Sequence, residues 1–285
     1  MNDANANNPD GNVIFSGTKE VAENLKFDQS RLQEWLGDSL PSAGKIIDVA
    51  QFKGGQSNPT YKIITEQKEL VLRRKPPGIL LPSAHAVDRE YKVMTALKDT
   101  AVPVPQTYGL CEDEDVIGTS FFVMDFLDGD IYWDLLLEDK SLEERKAIYK
   151  SKNQVIAELH KVDYTAVGLG DYGKPGNYIA RQVSRWTKQY LASETETILA
   201  MNNLIDWLPA NIPDEDETSI VHGDYRLDNM VFGKDNRVMG VLDWELSTLG
   251  HPIADFNYHC MSWRNIPQLA DEKFCQENGI PTEQE

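Results

Sequence analysis

Apolar residues recur along the chain with two periods, and the periods switch several times. Leu32, Trp35 and Leu36 share one face of a helix expected from Phe27 to Leu40, capped by Asp28 or Ser30 and ended by Pro41 and Gly44. Alternation then takes over in Ile46 to Phe52, Thr60 to Thr65 and Glu69 to Arg74, which read as strands. The short Glu66-Gln67-Lys68 link makes the last two a hairpin. The helical period returns from Ala86 to Leu97, where Val87, Tyr91, Met94 and Leu97 are in register. Val102 to Pro105 reads as an extended connector, and Phe121 to Met124 as a buried strand.

Beyond this strand the pattern is mostly helical. Helices are expected over Leu142 to His160, Ile179 to Leu191, Thr197 to Leu208, Ile253 to Trp263 and Gln268 to Phe274. In the first of these, Ile148, Val155, Ile156 and Leu159 face inward, and His160 packs or caps at the end. One hairpin interrupts the helices: Met230 to Phe232 and Arg237 to Leu242, joined by the turn-rich Gly233-Lys234-Asp235-Asn236. The chain therefore divides into an N-terminal segment 1–18 with little to bury, a β-rich unit over 19–124, a linker over 125–129 and a helical unit over 130–285.

Composition narrows the function classes. Of 285 residues, 41% are hydrophobic and 26% charged, as in ordinary globular proteins. Lys plus Arg is 28 and Asp plus Glu is 46, so the formal charge is −18, which argues against broad binding to nucleic acid or anionic lipid. Cys111, Cys260 and Cys275 are odd in number and widely spaced, which suits neither a disulfide framework nor a structural zinc site. No signal pattern opens the chain and no apolar run is long enough to span a bilayer. A cytoplasmic protein without an obligate protein partner, acting on a small molecule, is expected.

The candidate chemistry lies in Ser219-Ile220-Val221-His222-Gly223-Asp224-Tyr225-Arg226-Leu227-Asp228-Asn229. An Asp with an Asn five positions later is the spacing of a phosphoryl-transfer loop, in which the Asp receives the acceptor hydroxyl and the Asn holds magnesium. The hairpin that follows brings Asp243 back beside Asn229 as a second metal ligand. Arg226 is placed to steady charge on the transferring group, or else to pair with Asp228, and His222 is expected to hold the loop through backbone carbonyls. Upstream, a kinase needs a cation on its third strand, and Arg73 fits, with Glu90 as its partner on the next helix. Gly54, Gly55 and Ser57 could let backbone N–H groups approach phosphates, although a plain hairpin turn explains the same residues. Backbone at Asp125 and Leu127, leaving the buried strand, would hydrogen-bond a nucleotide base. ATP and Mg2+ are the cofactors this pattern calls for. A pseudokinase-type nucleotide-binding module and a metal-dependent phosphohydrolase are the competing readings.

His222 to Asn229, followed by Val241-Leu242-Asp243-Trp244-Glu245-Leu246-Ser247-Thr248-Leu249-Gly250, resembles the aminoglycoside phosphotransferase and choline kinase superfamily. Arg73 to Gly78, Val167 to Gly170 and Arg181 to Trp186 are similar to its bacterial members related to the kinase-like domain fused to some acyl-CoA dehydrogenases. The resemblance covers roughly residues 27–282. It implies an α+β, protein-kinase-like two-lobed fold, ATP in the cleft, Asp224 as catalytic base, and Asn229 and Asp243 as magnesium ligands. A hydroxylated acyl-CoA thioester becomes a candidate acceptor. It also implies further C-terminal helices past Glu285 that would help close the acceptor site.

Overall fold

Hairpin chemistry and strand alternation organise the first part of the chain into one antiparallel sheet. The computed structural model describes residues 17–54, 58–78, 86–214 and 216–285. Its strands are β1 (Thr18–Lys19), β2 (Ile46–Phe52), β3 (Thr60–Thr65), β4 (Glu69–Arg74), β5 (Thr107–Cys111) and β6 (Phe121–Asp125), in the order β1-β2-β3-β4-β6-β5. The β3–β4 turn is closed by Thr65, whose backbone N–H and hydroxyl both donate to the Lys68 carbonyl, at 3.0 and 2.8 Å. The register sets Tyr61 opposite Leu72 and Ile63 opposite Leu70.

Period two gives the sheet two buried faces. Tyr61, Ile63, Leu70 and Leu72 pack under helix α1 (Gln29–Ser39) with its Leu32 and Leu36. Val71, Phe122 and Met124 face helix α2 (Val87–Leu97) with Val87, Val93, Met94 and Leu97, and this second cluster continues into the rest of the protein. The sheet is thus covered on one side by a private helix and fused on the other to a larger core. The short helix α3 (Glu114–Ile117) links β5 and β6.

The remainder is largely helical, giving a two-lobed α+β architecture. Helix α4 (Leu142–Lys161) starts with a reciprocal capping box between Ser141 and Glu144 and buries Ile148, Val155, Ile156 and Leu159. Helices α5 (Tyr178–Ser193) and α6 (Leu199–Ala210) follow, and neither has a fully buried residue. Two small ribbons carry the loops of interest: β7 (Ser219–Val221) pairs with β10 (Thr248–Gly250), and β8 (Met230–Phe232) with β9 (Val238–Val241). Helices α7 (Pro252–Cys260), α8 (Ser262–Asn265), α9 (Pro267–Ala270) and α10 (Glu272–Asn278) end the chain. Among the described residues, no helix is long and apolar enough to cross a membrane.

Several boundaries differ from the sequence expectation for identifiable reasons. Residues 1–16 lie outside the described residues, but Thr18, expected in an unstructured segment, pairs with Phe52 at the sheet edge. Asp28, not Ser30, caps α1, accepting from the Ser30 and Arg31 backbone N–H groups at 2.9 and 3.3 Å. The helix expected from Ile253 to Trp263 tightens and breaks after Cys260, where the Met261 N–H turns back to the Tyr258 carbonyl at 3.2 Å. The one expected from Gln268 to Phe274 is two, because the Asp271 side chain accepts from the Lys273 and Phe274 N–H groups and starts α10 anew. Strand β5 escaped the pattern because Gly109 interrupts it; the Trp35 ring packs where a Gly109 side chain would be.

Leu36 is 1% exposed between α1 and the sheet. Leu36→Ala should destabilise the protein by about 2–5 kcal/mol, read from the urea midpoint at unchanged slope.

Candidate active site

Arg73 is where the sheet meets the helical lobe. Alternation along β4 sends Arg74 to the α1 side, where its Nε donates to Thr119 Oγ1 at 3.0 Å, and sends Arg73 the opposite way. Arg73 Nε lies 2.7 Å from Glu90 Oε2 on α2, its Nη2 donates to Asp243 Oδ1 at 2.5 Å, and Glu245 is 4.0 Å away. Three carboxylates surround one buried guanidinium, so the cluster carries excess negative charge. Burial pushes the Glu90 carboxyl up to about 7; Arg73 pulls it down, and Asp243 and Glu245 add to the rise. Glu90 Oε1 also accepts from the Trp244 backbone N–H at 3.1 Å, so α2 grips the segment that carries Asp243. Asp243 is held in the left-handed region, φ 62° and ψ 57°, a conformation that a non-glycine residue keeps only when its surroundings impose it.

The second half of the site is the loop after β7. The His222 and Gly223 backbone N–H groups each donate at 2.9 Å to the buried Asp255 carboxylate on α7, and His160 Nε2 lies 3.1 Å from the same group. Burial pushes the Asp255 carboxyl up, but the bonds from His160, His222 and Gly223 hold it below the usual carboxylate range. Gly223 has φ +82°, and a Cβ there would sit 2.7 Å from the Leu246 carbonyl. The His222 ring plays a structural part, its Nε2 bonded to the Leu242 carbonyl at 2.9 Å and its Nδ1 accepting from the Asp224 N–H at 3.2 Å.

This frame presents Asp224 and Asn229 together. Asn229 Nδ2 donates to the Asp224 backbone carbonyl at 2.8 Å and to Asp224 Oδ2 at 3.0 Å, which turns the amide oxygen of Asn229 to the other side. The Leu242 N–H donates to the Asn229 carbonyl at 2.8 Å, setting Asp243 beside it. Tyr258 on α7 donates its phenol proton to Asp224 Oδ1 at 2.6 Å. Of the two partners open to Arg226, the structure has Asp228, with Arg226 Nε 3.0 Å from Asp228 Oδ1.

The other sequence candidates are only partly placed. Gly54 is half-buried ahead of β3, whereas Gly55 and Ser57 lie outside the described residues. The Asp125 side chain is engaged by the Tyr108 hydroxyl at 2.6 Å and by Lys68 at 3.5 Å, and the Asp125 and Phe126 N–H groups donate to the Gln106 and Glu69 carbonyls. Leu127 packs its side chain over Gly240.

Sequence reading missed several contributors. Asn58, fully buried, donates to Glu245 Oε2 at 3.1 Å across 187 residues, and nothing local announces that contact. Asp255 and Tyr258 had a usable signal: three apart on a helix, they share the face turned to the loop. Lys152 on α4 lies buried beneath the loop, its carbonyl accepting from the Tyr225 hydroxyl at 2.7 Å. Burial pushes its ammonium down to about 7, with Asp228 pulling the other way.

The phosphotransferase enzyme family signature matches residues 48–284. The chain belongs to this family. Acyl-CoA dehydrogenase family member 10 of Mus musculus is 45% identical over 276 residues, which cover 94% of the chain and 26% of that protein. The chain therefore spans about a quarter of the length of that relative. A crystal structure from Ralstonia eutropha, described as a candidate aminoglycoside phosphotransferase, shares 52% identity over 91% of the chain and 78% of its own, with a TM-score of 0.82. At 14% identity, aminoglycoside phosphotransferase APH(4)-Ia, solved with AMP-PNP and hygromycin B, matches 83% of the chain and 77% of its own at a TM-score of 0.59, a likeness of fold alone. The two-lobed kinase-like architecture expected from the sequence is the one these structures share.

Lys152 supplies a pH-dependent prediction. Its folded pKa of about 7 lies below the unfolded value near 10.4, so between these values the unfolded chain binds more protons and stability rises with pH. Lys152→Met should therefore stabilise the protein by about 1–4 kcal/mol below pH 7, with the gain shrinking toward pH 10, as read from urea unfolding across that range.

Proposed function

We propose that this family member transfers the γ-phosphoryl group of Mg·ATP to a hydroxyl of a small molecule. The observation that carries the reading is the contact between Arg73 and Asp243, 170 residues apart, beside the hydrogen-bonded Asp224–Asn229 pair. Phosphoryl transfer needs a cation on the phosphates, oxygen ligands for magnesium and a carboxylate to receive the acceptor proton, and these lie within one connected network.

In this reading Arg73, fixed by Glu90, holds phosphate oxygens, and the turn carrying Gly54, Gly55 and Ser57 contributes backbone N–H groups, the last two residues lying outside the described residues. The linker 125–129 is the hinge, and Leu127 offers the base its backbone, because the N–H groups of Asp125 and Phe126 are engaged elsewhere. The β-rich unit over 19–124 carries the nucleotide, and 130–285 the catalytic and acceptor sites. Among the described residues, no group of three or more His, Cys, Asp or Glu forms a ready cage for a metal. The amide oxygen of Asn229 and the carboxylate of Asp243 are two hard oxygen donors beside a cluster of excess negative charge. That donor set fits Mg2+, which takes its remaining ligands from water and phosphate. When bound, the ion supplies charge neutralisation on the phosphate oxygens. Asp224 orients the acceptor hydroxyl and takes its proton. Arg226, half-exposed beside it, steadies charge on the transferring group and exchanges Asp228 for phosphate as it does so.

The acceptor we favour is a hydroxyacyl-CoA. The acyl-CoA dehydrogenase name of the mouse relative supports it, and so does the surface of α5 and α6. Trp186, Leu199 and Trp207 are exposed there, while α5 carries Arg181, Arg185 and Lys188 and no acidic residue. Apolar surface with positive charge suits an acyl chain bearing an anionic carrier better than it suits a cationic aminoglycoside. The start of α5 lies at the loop, since the Tyr178 ring packs against Gly250 of β10.

Mg·ATP at about a hundred times its dissociation constant should stabilise the wild type by about 2.7 kcal/mol, and Asp243→Ala should abolish that shift. Asp224→Asn should keep the shift and lower turnover by about 10²–10⁴-fold. A shift without turnover on any acceptor would favour the pseudokinase reading. Phosphate hydrolysis without nucleotide preference would favour the hydrolase. In a mass-spectrometric acceptor screen, β-hydroxybutyryl-CoA should gain phosphate in preference to choline and kanamycin; the reverse order would overturn the choice of acceptor.

A further inference from the structure

The Asp224 carboxylate is held from two directions. Asn229 donates to Oδ2 at 3.0 Å, and Tyr258 donates to Oδ1 at 2.6 Å. The Asn229 contact belongs to the loop itself. The Tyr258 contact comes from α7, one turn beyond Asp255, whose carboxylate fixes the His222 and Gly223 backbone. One rigid helical face therefore sets both the path of the loop and the rotamer of its carboxylate. Tyr258 is partly exposed, unlike the buried Asp255 one turn before it. Arg226 also lies close enough to the phenol to interact with it.

We propose that Tyr258 is a positioning residue for phosphoryl transfer, whose hydroxyl locks Asp224 so that its free lone pairs face the incoming acceptor hydroxyl. The inference rests on the reading of Asp224 as the proton-accepting residue. Its physical basis is that an Asp χ2 torsion is broad and weakly restrained by itself. A loose transition state asks little basicity of the carboxylate but demands alignment. With a donor on each oxygen, the carboxylate plane is fixed before the acceptor arrives. The bond balance of the reaction is unchanged: the acceptor O–H proton passes to Asp224, and Tyr258 keeps its own.

Tyr258→Phe keeps the ring and removes only the donor. Turnover, measured in single-turnover mode with Mg·ATP and both water and β-hydroxybutyryl-CoA as acceptors, should fall by about ten- to a hundredfold. The Mg·ATP-dependent thermal shift should persist, which also shows that the variant is folded and binds nucleotide. Because Tyr258 acts through Asp224, adding Tyr258→Phe to Asp224→Asn should cause no further loss. A merely structural tyrosine would give the same loss in both backgrounds, and that result, or wild-type turnover in Tyr258→Phe, overturns the inference. If Asp224→Asn itself keeps wild-type turnover, the assignment of Asp224 falls and the inference falls with it. An inactive Asp224→Asn beside an intact Tyr258→Phe removes the inference alone.

Discussion

The buried guanidinium of Arg73 is the constraint to which the other elements of the site answer. A charge taken out of water is tolerated only when it is paired and hydrogen-bonded. Here the pairing is met by three carboxylates from two places in the chain: α2 through Glu90, and the segment after β9 through Asp243 and Glu245. The sheet, its helix and the second lobe are tied at one point by electrostatics, while hydrophobic packing supplies bulk adhesion through the shared core. The pairing is also overfull. One cation among three carboxylates is a poor balance for an inert core, and a fitting one for a pocket that takes up a metal with phosphates. Burial raises Glu90 to about 7 against the pull of Arg73, and the neighbouring Asp243 and Glu245 add to that rise.

Around this point the site is built in layers. Asp255 fixes backbone, the His222 ring fixes the path between the loop and Leu242, and side chains from two elements fix Asp224. Each layer uses groups whose own geometry is already determined. Asp255 sits near the start of α7, and α7 begins at Pro252 with the His251 side chain as its cap. The strain at Asp243 is sustained in the same way, because Arg73 holds its side chain and Glu90 holds the N–H of the next residue. Preorganisation of this kind places the energetic cost in folding and not in the reaction step.

What was legible in the sequence follows from what is local. The strands around Arg73, helix α2 and the hairpin from Met230 to Val241 were readable because period and turn residues are encoded within a few positions. The contact between Arg73 and Glu90 was legible because a strand and the helix after it form one unit. Loop residues Asp224, Asn229 and Asp243 could be named from spacing alone. Asn58 and Lys152 were not legible, since each depends on a partner far along the chain and each residue type is ordinary at its own position, whereas Asp255 and Tyr258 left only their three-residue helical spacing as a signal. The break at Asp271 was missed for a different reason: an apolar period ran through it, and the side-chain cap overrode the period.

The Arg73 cluster and the surface of α5 and α6 are built on opposite logic, and this bears on what the protein acts upon. The Arg73 cluster is acidic, with Arg73 and Glu90 buried and Asp243 and Glu245 partly exposed. Helices α5 and α6 are exposed, and α5 is cationic in a chain of formal charge −18. Net charge is therefore a poor guide to local field. The segregation puts positive charge and indole rings on a surface with no fully buried residue, beginning next to the loop that holds Asp224. A polycationic acceptor would meet repulsion along α5 before reaching that carboxylate. An anion with an apolar arm would be drawn along the helix and could bury Trp186 as it docks. The proposed reading pairs the phosphates of ATP with Arg73, so the same field would not repel that substrate either. Both substrates of the proposed reaction would then be anions, and a metal recruited by the carboxylates around Arg73 would separate the two negative charges at the point where they meet.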